Sequence, residues 1–299
     1  MHHVTLQHYL SRLQSSLASS NLWLDGQGRA RGRYFNASLT SAFQAIRSGD
    51  DLRIIGFEGY ARSYDPNDQG LNIWRLLDYV ANDEESVELD RLCRLLHTIN
   101  FYRQQTTQEL DLFLSVHSRL LAAVEGNHGA AFRRILDVLE LPHQQIVLQL
   151  PPITPSQRWV LTHVAENYRR NGFRIGVNAA NLEQASDLLG RVRPHSIKID
   201  VSVANHSEAQ IALLELADRS QCQVIFRKIE TERQLNNLQT ANNTVSPYAV
   251  QGFLFDIPRA NLAPEAEIAA VSANALANTL INEPPVSVKH PLQLDSICL

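Results

Sequence analysis

Arg174-Ile175-Gly176-Val177-Asn178, then residues 182–192, then Ser196-Ile197-Lys198-Ile199-Asp200 form the stretch that decides the fold. The two outer runs are short, and the second is rich in β-branched residues, as strands are. The residues between them read as a helix. Strand, helix and strand at this spacing make a parallel βα unit. The pattern continues in both directions. Downstream, a helix over 207–220 leads to a strand over 223–229, and a helix over 231–240 to a strand over 249–255. Upstream lie a helix over 155–171, a strand over 146–150, a helix over 129–140 and a strand over 110–116. Helical stretches near 71–81 and 85–104 come before these. Two strands, 42–47 and 52–57, open the series and are joined by the turn-forming Ser48-Gly49-Asp50-Asp51. Eight strand candidates between 42 and 255 predict a closed (β/α)₈ barrel of TIM type, in the α/β class. The opening hairpin makes one strand near the start antiparallel.

The ends of the chain read differently. Leu6, Tyr9, Leu10, Leu13 and Leu17 have helical spacing, and Leu22-Trp23-Leu24-Asp25-Gly26 reads as a strand ending in an Asp-Gly turn. Residues 262–281 read as an Ala-rich last helix. Pro284, Pro285 and Pro291 mark a loose tail. The expected division is a helix-and-strand extension over 1–38, a barrel over 39–282 and a tail over 283–299.

Composition narrows the function. A hydrophobic share of 44% and a charged share of 19% suit a globular core. A formal charge of −4 gives no general field for direct binding to nucleic acid. Cys93, Cys222 and Cys298 are odd in number and far apart, which suits a reducing compartment and fits neither a metal motif nor a disulfide framework. No apolar run approaches the roughly 20 residues of a membrane span, and Met1-His2-His3-Val4-Thr5 does not read as a secretory signal. A cytoplasmic location is expected. No nucleophile elbow, P-loop or dinucleotide fingerprint is present.

Four stretches carry a resemblance: Ile55-Gly56-Phe57-Glu58-Gly59-Tyr60-Ala61-Arg62, Asn171-Gly172-Phe173-Arg174-Ile175-Gly176, Ser196-Ile197-Lys198-Ile199-Asp200 and Val250-Gln251-Gly252-Phe253-Leu254-Phe255. In order and spacing the chain resembles the EAL-domain family over residues 40–260. That resemblance implies a modified TIM-type barrel with one antiparallel strand, and hydrolysis of cyclic di-GMP assisted by two divalent metals. The signature Glu-Ala-Leu has become Glu58-Gly59-Tyr60. Where the family places its other metal ligands, this chain has Ser115, Gln149, Asn178, Ala179 and Arg227. Pro152 and Lys228 stand where the family has a loop-ordering glutamate and a glycine. Asn181-Leu182-Glu183-Gln184 replaces a glycine-rich loop. Hard divalent cations need oxygen donors, mostly carboxylates, so the charge at these positions decides. The family's five acids would bring about −5; here Glu58 and Arg227 cancel. No metal site and no cofactor are expected, and with them no hydrolysis. Glu58 and Lys198 remain as remnants of the catalytic set. The simpler reading of Glu58 is a strand-end acid, solvated or paired with Arg62. His117 offers one metal-capable ring, and a lone histidine at a strand end usually serves as a hydrogen-bonding surface residue.

The expected function is that of a catalytically inactive EAL-like regulator acting on another protein, a transcription regulator among the candidates. The alternative is a metal-independent receptor for cyclic di-GMP built on Gln44, Arg62, Arg227 and Gln251, with Lys228 helping to hold phosphate; the two cations could instead pair with Glu58 and close the pocket. A third reading is residual phosphodiesterase activity with metal on Glu58, Gln149 and Asn178. The resemblance also implies a possible homodimer.

Overall fold

A computed structural model describes residues 21–34, 37–63, 83–104, 110–118, 128–152, 158–203, 207–242 and 247–262. The expected helices over 6–17, 71–81 and 262–281, and the tail, lie outside these or nearly so. Among the described residues there are ten strands: β1 (Leu22–Leu24), β2 (Ala30–Tyr34), β3 (Ala37–Ser48), β4 (Ile54–Ser63), β5 (Asp111–Ser115), β6 (Ile146–Leu150), β7 (Arg174–Ala179), β8 (Ser196–Asp200), β9 (Gln223–Arg227) and β10 (Tyr248–Gln251). The same residues hold six α-helices: α1 (Asp83–Tyr102), α2 (His128–Val138), α3 (Arg158–Arg170), α4 (Leu182–Val192), α5 (Ser207–Arg219) and α6 (Glu232–Asn242).

Strands β3 to β10 close into an eight-stranded barrel. Strands β4 to β10 run parallel, and β3 is antiparallel to both of its barrel neighbours, β4 and β10. The helices pack outside. Their apolar stripes (Leu188, Leu189 and Val192 of α4, for example) bury against outward strand residues such as Ile197 and Ile199. That layer is the main core. A smaller cluster of Ile46, Phe113, Val147, Ile225 and Ala249 fills the barrel interior.

Three details depart from the sequence expectation. Strand β4 runs on to Ser63, because β3 pairs with it from Leu39↔Ser63 to Arg47↔Ile54. Glu58 therefore sits in mid-strand. Strand β10 ends at Gln251 and not at 255, since a Cβ at Gly252 would lie 2.0 Å from the carbonyl oxygen of Ile229. The chain turns there, with the amide of Leu254 donating to Ile229 at 3.0 Å. Finally, residues 22–34 form two antiparallel strands, and β2 pairs with the start of β3. Among the described residues no helix is long and apolar enough to cross a membrane.

Candidate functional site

Side chains alternate sides along a strand. The inward residues Gly56, Phe113, Val147, Gly176, Ser196, Ile225 and Ala249 are each followed two positions later by a residue in the layer nearer the barrel mouth: Glu58 in the middle of β4, and Ser115, Gln149, Asn178, Lys198, Arg227 and Gln251 at or near the carboxyl ends of their strands. Gln44 joins them from antiparallel β3, where it lies opposite Glu58. All of these except the buried Lys198 line a cleft of about 920 Å³, together with Tyr60, Arg62, His97, His117, Lys228 and Phe253. In barrels of this kind that end carries the chemistry.

The floor is a closed network around Glu58. One carboxylate oxygen receives the Lys198 ammonium at 2.9 Å, the Gln251 amide at 2.8 Å and the Tyr60 hydroxyl at 2.7 Å. The Ser115 hydroxyl reaches the other oxygen at 3.4 Å. Gln251 accepts from Lys198 at 3.2 Å and donates to Gln44, while Gln44 donates to the backbone carbonyl of Asp256 at 2.8 Å. Lys198 is fully buried, and its ammonium lies 4.9 Å from the centre of the Phe113 ring. Burial pushes the Glu58 carboxyl up; the Lys198 charge and the bonds from Lys198, Tyr60 and Gln251 outweigh this and hold it at about 2. Burial pushes the Lys198 ammonium below its ordinary range, with Glu58 pulling it back. The same burial, reinforced by the negative charge of Glu58, pushes the Tyr60 phenol well above its usual value.

Beside this network the polar groups are neutral. The Gln149 amide donates to the Asn178 side-chain oxygen at 3.2 Å, and Asn178 donates to the Leu150 carbonyl at 3.0 Å. The remaining oxygen of Gln149 is buried without a hydrogen-bond partner and lies over Gly176, where a Cβ would come within 2.2 Å of it. Ala179 presents a buried methyl.

Asp200, at the end of β8, faces Arg227 at the end of β9 in register. The Arg227 Nε donates to one of its oxygens, and the Lys228 ammonium sits 2.6 Å from the other. Burial raises the Asp200 carboxyl, but these two cations hold it below the usual carboxylate range. The exposed Arg62 lies 5.7 Å over the Tyr60 ring and donates to the carbonyl of Ala61.

Several sequence expectations change here. Glu58 is buried and paired with Lys198; Arg62 is not its partner. Arg227 and Lys228 pair with Asp200 and not with Glu58. Gln44 and Gln251, expected as ligand-binding residues, line the cleft, are 4% and 2% exposed and bond internally, while Arg62 and Arg227 are the more exposed members of that set. His117 lines the cleft, and its backbone amide donates to Asp90 at 2.9 Å. Among the described residues no group of three His, Cys, Asp or Glu is placed to hold a metal ion. The sequence reading missed Tyr60 as a participant. The signal was available: residues two apart on a strand share a face.

The EAL domain model matches residues 31–258 of the sequence. No curated protein sequence matches the chain. Among solved structures, the chain is similar to the Bacillus subtilis YkuI protein, with an EAL domain, in complex with cyclic di-GMP and calcium. That match has a TM-score of 0.63 and 19% identity over 82% of this chain and 61% of that one. The chain thus spans about three fifths of the YkuI length. A standalone EAL protein from Vibrio cholerae O395, in its cyclic di-GMP-bound form, matches with a TM-score of 0.58 and 16% identity over 79% of this chain and 99% of that one. The FimX EAL domain from Pseudomonas aeruginosa bound to cyclic di-GMP matches with a TM-score of 0.59 and 18% identity, covering 74% and 91%. At these identities the structural likeness supports the fold alone.

Proposed function

The chain belongs to the EAL-domain family, and we propose that it is a non-hydrolytic member that regulates by binding another protein. One observation carries this reading. Glu58, at the floor of the cleft, and Asp200, at the end of β8, are neutralised by the chain's own cations, Lys198 for the first and Arg227 and Lys228 for the second, and Glu230 is the other carboxylate that lines the cleft. A pair of divalent ions brings four positive charges and needs several anionic oxygens. Besides Glu58 and Glu230, the family's ligand positions that line the cleft hold a serine hydroxyl, two side-chain amides bonded to each other or to backbone, and a guanidinium. This set does not fit two such ions. Placing them beside Lys198 and Arg227 would add repulsion to a desolvation cost of several kcal/mol per ion. Without bound metal, the cleft lacks the activated water that a metal-assisted phosphodiester hydrolysis uses.

The test is turnover of cyclic di-GMP by the purified chain with magnesium or manganese. No linear product above the blank is expected. Product that vanishes in Glu58→Ala overturns the reading. The partner half is tested by affinity capture from a lysate of the source organism: a stable stoichiometric complex supports it, and recovery of the bait alone removes it.

A metal-independent receptor for cyclic di-GMP is the second reading, favoured by the exposed Arg62 beside the cleft. Calorimetric titration in the presence of a chelator separates the two: heat that saturates supports the receptor, and none at high micromolar ligand eliminates it.

A further inference from the structure

We infer that helix α1 is a strut that ties the amino-terminal strands β1 and β2 to the mouth of the barrel, so that loosening β2 loosens the wall of the cleft. The coupling holds whatever the cleft binds.

Polar contacts fix the helix near both ends. Toward its carboxyl end, the buried Asn100 grips β2 by the backbone. Its side-chain oxygen accepts the Ala30 amide at 2.8 Å, and its nitrogen donates to the Ala30 carbonyl at 2.9 Å. The same nitrogen donates to the Ser41 hydroxyl of β3 at 3.2 Å, and that hydroxyl lies 2.8 Å from Nδ1 of His97. His97 and Cys93, on α1, line the cleft. Nearer the amino end, the fully buried Asp90 accepts the backbone amide of His117 at 2.9 Å; His117 follows β5 and lines the cleft as well. Asp90 pairs with Arg94, whose guanidinium lies 5.2 Å over the Phe132 ring of α2 and 5.9 Å over the Tyr168 ring of α3. Asp90 and Asn100 are about 15 Å apart along the helix axis.

The fit between these contacts is close. A Cβ at Gly32 of β2 would lie 2.8 Å from Leu96, and one at Gly59 of β4 would lie 2.9 Å from the His97 ring. The changed signature Glu58-Gly59-Tyr60 thus makes room for α1 directly beside Glu58. Apolar packing alone would tolerate sliding. Buried polar groups are costly to leave unpaired, and these point at the backbone of two elements on opposite sides of the helix's length. A shift that frees Asn100 from Ala30 therefore also strains His97 against Gly59 and Asp90 against His117.

The experiment follows amide hydrogen exchange by NMR on the full chain. In Asn100→Ala and in Gly32→Val, the amides of Gly59 and His117 should exchange roughly tenfold faster or more, while those of β8 change less. Asn181→Ala on α4 controls for a general loss of stability and should move His117 no more than β8. Faster exchange confined to β1 and β2, or faster exchange by one factor throughout the barrel, overturns the inference. The wild type supplies a reading that needs no variant to fold. Along a urea series below the unfolding transition, Ala30 and His117 should open as one unit, with the same dependence on urea and before β8 does. Separate opening of the two, or opening only together with the whole barrel, overturns the inference.

Discussion

Burial alone would lift the Glu58 carboxyl above its ordinary value of 4.5, yet it is held at about 2 by the Lys198 ammonium and three hydrogen bonds. A carboxyl depressed in the folded state contributes stability that is whole above its unfolded value. That contribution is lost as pH falls from about 4.5 toward 2. Its size is on the order of 3 kcal/mol. Other depressed acids, Asp200 among them, add to the same slope, so the contribution of Glu58 is read as a difference. Urea midpoints of the wild type and of Glu58→Gln/Lys198→Met should approach each other as pH falls from about 4.5 toward 2; parallel curves would show that the pair titrates elsewhere. The single variant Lys198→Met is expected to cost about 3–5 kcal/mol at neutral pH, because it leaves a buried carboxylate without its cation. The double variant should recover much of that. Tyr60→Phe removes one of three donors to the same oxygen and should cost about 1–3 kcal/mol.

The βα repeats between 146 and 227 were legible because each strand is apolar and each helix repeats at its own period. β6 and β8 and helix α4 fall where the pattern places them. β2 was not legible. Ala30-Arg31-Gly32-Arg33-Tyr34 carries two arginines and a glycine, and the buried Arg31 pairs with Asp25 at 2.8 Å. The end of β10 was over-read because Phe253-Leu254-Phe255 is apolar, although the close approach at Gly252 stops the strand. The inward-facing site residues could be found from strand ends. Their pairings could not: Lys198 and Glu58 are 140 positions apart, and closure of the barrel brings them together. Two predictions belong to this scale. Asn181 caps α4, accepting from the Gln184 amide at 2.8 Å, so the stretch that replaces the family's glycine-rich loop serves as a helix start. Asn181→Ala should cost about 1 kcal/mol in urea. Gly252→Ala must push a Cβ against the Ile229 backbone and should cost about 1–3 kcal/mol or more; an unchanged midpoint would mean the two strand ends are free to separate.

The barrel as a whole keeps the family's fold, and the charged groups around its mouth include more cations than carboxylates. Counting Glu58, Asp200 and Glu230 against Arg62, Lys198, Arg227 and Lys228 leaves a net positive charge. The consequence is measurable without substrate or partner. A ligand that binds only the folded state raises its stability in proportion to RT ln(1 + [L]/Kd), about 2.7 kcal/mol at a hundred times Kd. For a chain of this size that is a rise of several degrees in melting temperature. Millimolar magnesium, manganese or calcium should therefore leave the melting temperature where it is, and a chelator should not lower it. Sodium chloride at the same ionic strength controls for screening of the surface pairs. A metal-specific rise that disappears in Glu58→Gln would place an ion against Glu58 and displace Lys198 from it. The charge argument would then fail for the molecule, because the cation holding this barrel's central carboxylate would be exchangeable and not its own.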